Sequence, residues 1–200
     1  MLDAQLETRY AEVVRKVAGY LPAPDLRMLR DSLEFADEKH EGQIRKSGEQ
    51  YIGHPLEVAH IVADLHLDLA SIAAAFLHDT VEDTDATLDD ITANFGDDVA
   101  MLVEGLTKIS KLQFKSREEA QAENIRKLII AMGRDIRVIL IKLSDRLHNL
   151  RTLEHMAEAK QRRIAQETLD IYAPLANRLG INWMKTELED TSFRYLNNSA

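Results

Sequence analysis

The chain has 200 residues, a net charge of −9, 45% hydrophobic and 30% charged residues, and no cysteine. Without cysteine there are no disulfides or thiolate metal sites. The acidic balance argues against a general nucleic-acid binder, which carries a basic surplus, and no stretch approaches the roughly 20 apolar residues of a membrane span. A chain of this length buries roughly 70% of the surface it would expose unfolded, so neither a disulfide nor a metal is needed merely to hold it together.

The absence of cysteine fits a cytoplasmic address. In chain order, the N-terminal "MLDAQLETRYAEVV" carries acids and no apolar stretch of the signal-peptide kind. Residues 3–20 read as an amphipathic helix. Asp25 is placed to cap a second, running to about Glu41, where Gly42 stops it. The loop "KSGEQYIGH" follows, and Pro55 suits the first residue of a helix over 55–66. Asp68 can cap the next, 69–79. Thr87 begins a short helix ending near Gly96, and Asp97 opens another to about Lys111. "SREE" at 116–119 has the form of a capping box before a helix that stops at Gly133. Helices over 135–153, 158–179 and 183–196 complete the chain, with Gly180 and Asn182 marking the last break. Strand signals are nearly absent, so the expected fold is all-α, one compact multi-helix domain. Arg45, Lys46, Lys108, Lys111 and Lys115 form local basic groups, suited to a small anionic ligand or to a solvated helix face.

Two segments carry chemistry. The helix "DIRVILIKLSDRLHNLRTL" is apolar on most sides, which marks a central helix. Yet it holds Asp145, with Asn149 four residues on and on the same face. A buried carboxylate requires a cation; Lys142 or Arg146 could supply it as an ion pair, or a metal could. The second segment, "AAFLHDTVEDT", ends an apolar helix in His78 and Asp79, with Glu82 and Asp83 just beyond. Successive helical side chains diverge by about 100°, but at a fraying last turn both can converge. With His54 from the preceding loop and Asp145, they make a nitrogen–carboxylate set that suits Mn²⁺, Fe²⁺, Co²⁺ or Zn²⁺.

"HPLEVAHIVADL", "FLHDTVEDT", "EGLTKISKL" and "IKLSDRLHNLRTL", with "RKSGEQYIGHP" and "IYAPLANRLGI…ELEDTSFRYL", occur in an order and at distances that resemble the N-terminal hydrolase domain of the long Rel/SpoT stringent-response enzymes. The resemblance spans about residues 5–196. It implies an HD-superfamily fold and a metal-dependent 3′-pyrophosphohydrolase that converts (p)ppGpp to GDP or GTP with release of pyrophosphate. It also implies metal ligation by His54, His78, Asp79 and Asp145, with Mn²⁺ the expected cofactor. Arg45, Glu82, Asp83 and Asn149 match the remaining hydrolase positions, and Lys46 and Ser47 match the loop that contacts the nucleotide. Gln50 and Ser144 depart from the family pattern, where proline and alanine are usual, and neither is a ligand position. Residues 1–200 would then be a single hydrolase domain, its helices at 156–200 leading toward a synthetase domain absent from this chain. Neither DNA nor membrane is an expected partner.

The residue chemistry agrees. A divalent ion lowers the pKa of a bound water and draws charge from an attacked phosphoryl oxygen. Glu82 and Asp83, on the loop past the ligands, are close enough to orient water or shuttle a proton, or else they form a solvated acidic loop or charge the next helix N-terminus. Arg45 suits phosphate contact or purine stacking, or is a surface arginine. Asn149 could bond ribose or phosphate, or is a helix-face amide. His40, His60, His66, His148 and His155 read as surface or interhelical histidines, and Trp183 and Tyr195 as core. Two other readings stand beside the first: another HD-type nucleotide phosphohydrolase, and a nucleotide-binding regulatory module without turnover.

Overall fold

The computed structural model describes residues 3–110, 126, 130 and 135–197. Among them the fold is all-α; the sole extended pairing is an isolated bridge between Ile44 and Gln50. The helix α1 (Ala4–Tyr20) starts at Asp3, whose carboxylate accepts the backbone N–H groups of Gln5 and Leu6. Asp25 does the same for Arg27 and Met28 at the head of α2 (Leu26–Lys39). α3 (Gly53–Asp64) begins two residues before the expected Pro55. Proline is tolerated there because the first turn's N–H groups have no intrahelical acceptor.

Asp68 caps α4 (Leu69–Leu77), which is buried over nearly its whole length. A separate turn, α5 (Thr80–Asp83), follows. At the start of α6 (Leu88–Ser110), Thr87 and Asp90 bond each other's backbone reciprocally. The expected break at Gly96 is real: its φ of 86° kinks α6 into two helical runs. The capping box at 116–119, the helix stop at Gly133, and Lys111 and Lys115 lie outside the described residues.

α7 (Ile136–Arg151) is the expected central helix, capped by Asp135. It packs against α3, α4 and α6. Its second residue, Arg137, bonds Asp68, Asp98 and Asp135 at 2.6 Å each. One guanidinium thus ties the start of α7 to the cap of α4 and to α6.

The expected continuous helix over 158–179 is instead α8 (Glu158–Glu167), a π-helical turn (Thr168–Tyr172) and α9 (Ala173–Arg178). The cause is Pro174. It donates no N–H, and its ring would strike the carbonyl four residues back, so the backbone widens by one residue ahead of it. α10 (Asn182–Asn197) turns Met184, Leu188 and Ser192 inward. Trp183 lies one residue off that stripe and is 46% exposed, so the expectation that it belongs to the core is corrected. Tyr195 is partly buried against the core. A continuous apolar cluster runs from Leu6 to Leu188.

Candidate metal centre

The site forms where α3, the α4–α5 junction and α7 meet. His54 stands in the first turn of α3, His78 caps the end of α4, and Asp79 opens the turn of α5. Asp145 projects from the middle of α7. The backbone bend between α4 and α5 brings His78 and Asp79 together as the fraying-turn argument requires, with Nε2 and Oδ2 3.1 Å apart. His54 Nε2 lies 3.2 Å from Asp145 Oδ1 and 3.6 Å from Asp79 Oδ2. His78 Nε2 lies 3.7 Å from Asp145 Oδ1. His54, His78 and Asp145 are buried and present atoms all within 4.8 Å of one another, a spacing that one divalent ion can bridge.

The donor set passes a local test. His78 Nδ1 is 2.8 Å from the Ala75 carbonyl, to which it donates, so Nε2 is the nitrogen left to face the cluster. That Nε2 is buried and makes no hydrogen bond, although Asp79 Oδ2 is at ion-pair distance. A buried polar atom without a bond, beside two carboxylates, fits a metal position. The electrostatics agree. Burial opposes the charged form of His78, but Asp79 and Asp145 outweigh it and push its pKa up to about 10. Burial also opposes the ionisation of Asp145, yet Lys142 and the two histidines hold its carboxyl well below the usual range. The carboxylates therefore demand positive charge at this point.

Lys142 Nζ is 2.8 Å from Asp145 Oδ2, the oxygen turned away from His54. Of the two ion pairs foreseen for Asp145, this one forms. Arg146 instead pairs with Glu167 and lies over the Tyr172 ring. The pair and the histidine cluster coexist because they use different oxygens of one carboxylate.

A cavity of about 380 Å³ opens over the cluster, lined among others by Arg45, Lys46, Tyr51, Glu82, Asp83 and Asn149. That size suits a small ligand. Arg45 is presented by the tight 43–51 loop, where the Ile44–Gln50 bridge and the Arg45–Glu49 backbone bond close a turn through Gly48, at φ 87°. Its guanidinium donates to Asn149 Oδ1 at 3.1 Å, and Asn149 Nδ2 in turn donates to Asp145 Oδ1 at 2.6 Å. Asn149 thus ties the basic loop to the cluster. Ser47 does not join the cavity lining; its hydroxyl turns to Glu49 at 3.3 Å. Lys108 also stands apart, exposed and paired with Glu104. Glu82 and Asp83 lie in a helical turn, not the loop expected, because the Asp79 carbonyl accepts both their N–H groups.

Three participants had no assigned part in the sequence reading or only an alternative one. Tyr51 donates its hydroxyl to Asp79 Oδ2 at 2.7 Å and sits 3.1 Å from Asp83 Oδ2. Lys142 enters the sequence reading only as the alternative to a metal, and it is bonded to Asp145. His148, read as a surface or interhelical histidine, is buried with its Nδ1 2.7 Å from His54 Nδ1. Its place three residues after Asp145 on α7 was the available signal. His40 is also buried, stacked on Tyr51 at 4.3 Å, while His155 is exposed as expected.

Helices, cluster and spacing define an HD-type site, and the chain belongs to the HD domain family, whose pattern it matches over residues 32–182. Within that family it is homologous to the N-terminal HD domains of the Rel/SpoT (p)ppGpp hydrolases. It is 61% identical over 183 residues to a GTP pyrophosphokinase of Myxococcus xanthus, a match covering 90% of this chain and 24% of that protein. It is 56% identical over 177 residues to a guanosine-3′,5′-bis(diphosphate) 3′-pyrophosphohydrolase of Vibrio cholerae, covering 88% and 25%. A solved structure described as a metazoan ortholog of SpoT that hydrolyzes ppGpp is 30% identical, with a TM-score of 0.60, over 89% of this chain and 98% of that one. The chain spans about a quarter of the length of these curated bacterial relatives.

Proposed function

We propose that the chain hydrolyses (p)ppGpp at the ribose 3′ position, releasing pyrophosphate and GDP or GTP, with Mn²⁺ as its ion. The observation that carries this reading is the buried His54–His78–Asp145 cluster, joined by Asp79, beside a cavity whose lining includes Arg45, Lys46, Glu82 and Asp83. When bound, a divalent ion supplies an acidified water and Lewis-acid charge for the phosphoryl oxygens. His54, His78, Asp79 and Asp145 hold it. Lys142 neutralises the outer oxygen of Asp145. Arg45 and Lys46 take the nucleotide's anionic groups or stack on its base, and Ser47 would reach the nucleotide from the same loop only by leaving Glu49. Asn149 steadies Arg45 and offers an amide to ribose or phosphate. Glu82 or Asp83 accepts a proton from the attacking water or gives one to the leaving oxygen.

Residues 1–200 act as one hydrolase domain, and the helices over 156–200 lead toward a synthetase domain in the full-length proteins. The setting is cytoplasmic, with neither DNA nor membrane as partner. The test is incubation of the purified chain with ppGpp and Mn²⁺, with products resolved by ion-exchange chromatography. GDP and pyrophosphate, lost on chelation, are expected. An unchanged nucleotide in the presence of Mn²⁺, or turnover of other nucleotides but not ppGpp, contradicts the reading.

A further inference from the structure

We propose that His148 is a positioning residue: it holds His54 in the tautomer whose Nε2 carries a lone pair toward the metal position. This rests on the reading of His54 as a ligand. The Nδ1 atoms of the two rings are 2.7 Å apart, and both rings are buried. Two nitrogens at that distance share one proton: with none, two lone pairs oppose each other, and with two, the N–H groups collide. A third group decides which ring holds it. Arg45 Nη1 approaches His148 Nδ1 at 3.5 Å. A guanidinium has donors and no acceptor, so His148 Nδ1 must be the electron-rich partner.

The shared proton then belongs to His54 Nδ1. A neutral imidazole carries one N–H, so His54 Nε2 is bare, facing Asp145 Oδ1 at 3.2 Å and Asp79 Oδ2 at 3.6 Å. Three electron-rich atoms so placed are reconciled by a cation between them. His78 is oriented by another route: its Nδ1 donates to the Ala75 carbonyl, so Nε2 is the nitrogen that would give up its proton to a bound ion. The two histidines of the cluster thus have different orienting partners, a backbone oxygen for one and a side-chain nitrogen for the other. Because Arg45 donates to both His148 and Asn149, the basic loop and the His54 ring are mechanically joined.

The experiment reads the tautomer directly in the intact, metal-free chain. With ¹⁵N-labelled histidine, at mildly alkaline pH, long-range ¹H–¹⁵N correlation spectra should show His54 protonated at Nδ1. His148→Asn keeps an acceptor near the Nδ1 position and should preserve both the tautomer and the Mn²⁺ affinity measured by titration calorimetry. His148→Leu removes the acceptor and should move the His54 proton to Nε2, with a loss of about 10–100-fold in Mn²⁺ affinity. His54 protonated at Nε2 in the wild type, or wild-type Mn²⁺ affinity in His148→Leu, overturns the proposal. Failure of the metal reading looks different. Asp145→Ala would then keep its Mn²⁺ affinity, while the wild-type spectrum with Nδ1 protonated would still uphold the proton placement.

Discussion

Lys142 and Asp145 form an ion pair inside the cluster, Nζ to Oδ2 at 2.8 Å, and leave Oδ1 of the same carboxylate for the histidine side. One acid answers two demands that had looked like alternatives. Removing one partner of a buried pair costs about 3–5 kcal/mol; both partners of this one line a cavity, so the lower end is expected. Lys142→Met should therefore lower the stability of the metal-free chain by roughly 3 kcal/mol. Saturating Mn²⁺ should raise the stability of the variant more than that of the wild type, since the ion supplies part of the missing charge. Urea unfolding with and without Mn²⁺ checks this. An equal Mn²⁺ increment in both proteins would mean that pair and ion do not share Asp145.

Tyr51 has one proton and two carboxylates, Asp79 and Asp83, within reach of its hydroxyl. Tyr51→Phe should keep the metal, because Asp79 stays beside His78, and should slow turnover of ppGpp by about tenfold, in line with the loss of a hydrogen bond to a charged group. Metal analysis beside steady-state kinetics separates the effects. Loss of metal in proportion to turnover would place Tyr51 in the support of the ion alone.

The acids of α5 carry the acid–base work in this account. General acid–base assistance is worth about 10²–10⁴ in rate. At least one of Glu82→Gln and Asp83→Asn should lose tenfold or more in turnover (a conservative reading of that range) while binding Mn²⁺ and ppGpp nearly normally. If both variants turn over at the wild-type rate across neutral and alkaline pH, the two acids are only a solvated helix end.

Arg45 should act on the nucleotide. Arg45→Ala is expected to weaken ppGpp binding, with the ion retained at reduced affinity if His148 loses its second donor. Binding by the wild type should weaken as salt rises, since screening shortens the reach of charge attraction. Wild-type kinetics for Arg45→Ala at low salt would contradict this role.

The pH behaviour follows from His78. In the metal-free chain its pKa is raised from 6.5 to about 10. A raised cationic group contributes stability that is fully present below the unfolded value near 6.5 and is lost as pH climbs through about 10. The metal-free chain should thus become less stable between these limits. Because Mn²⁺ must displace that proton, its affinity should rise over the same window, with proton release. Calorimetry in buffers of different ionisation enthalpy measures the release; none at pH 8 would contradict the assignment.

Much of this architecture was legible in the residues. Asp25 and Asp68 mark helix starts because a short carboxylate satisfies free N–H groups, and Gly96 marks a kink because its φ is open to glycine. The burial of α7 follows from apolar residues all round its axis. The π-helical turn before Pro174 was not foreseen: its proline reads as a stop or a kink, and the widened turn is what packing against α10 and α8 permits. Among site residues, His78 and Asp79 could be read from the end of an apolar helix. Tyr51 could not, because its partners lie 28 and 32 positions away and nothing local encodes the reach of a phenol. His148 could have been, from its spacing to Asp145, but a helix-face histidine has many uses and only the fold brings His54 to it.

The most direct test of the central claim is a crystal of the chain soaked in Mn²⁺ and measured at a wavelength where manganese scatters anomalously. The account predicts one strong peak within bonding distance of His54 Nε2, His78 Nε2, Asp79 and Asp145, and no peak there in Asp79→Ala. A peak bound elsewhere, or none at the cluster in the wild type, would contradict it.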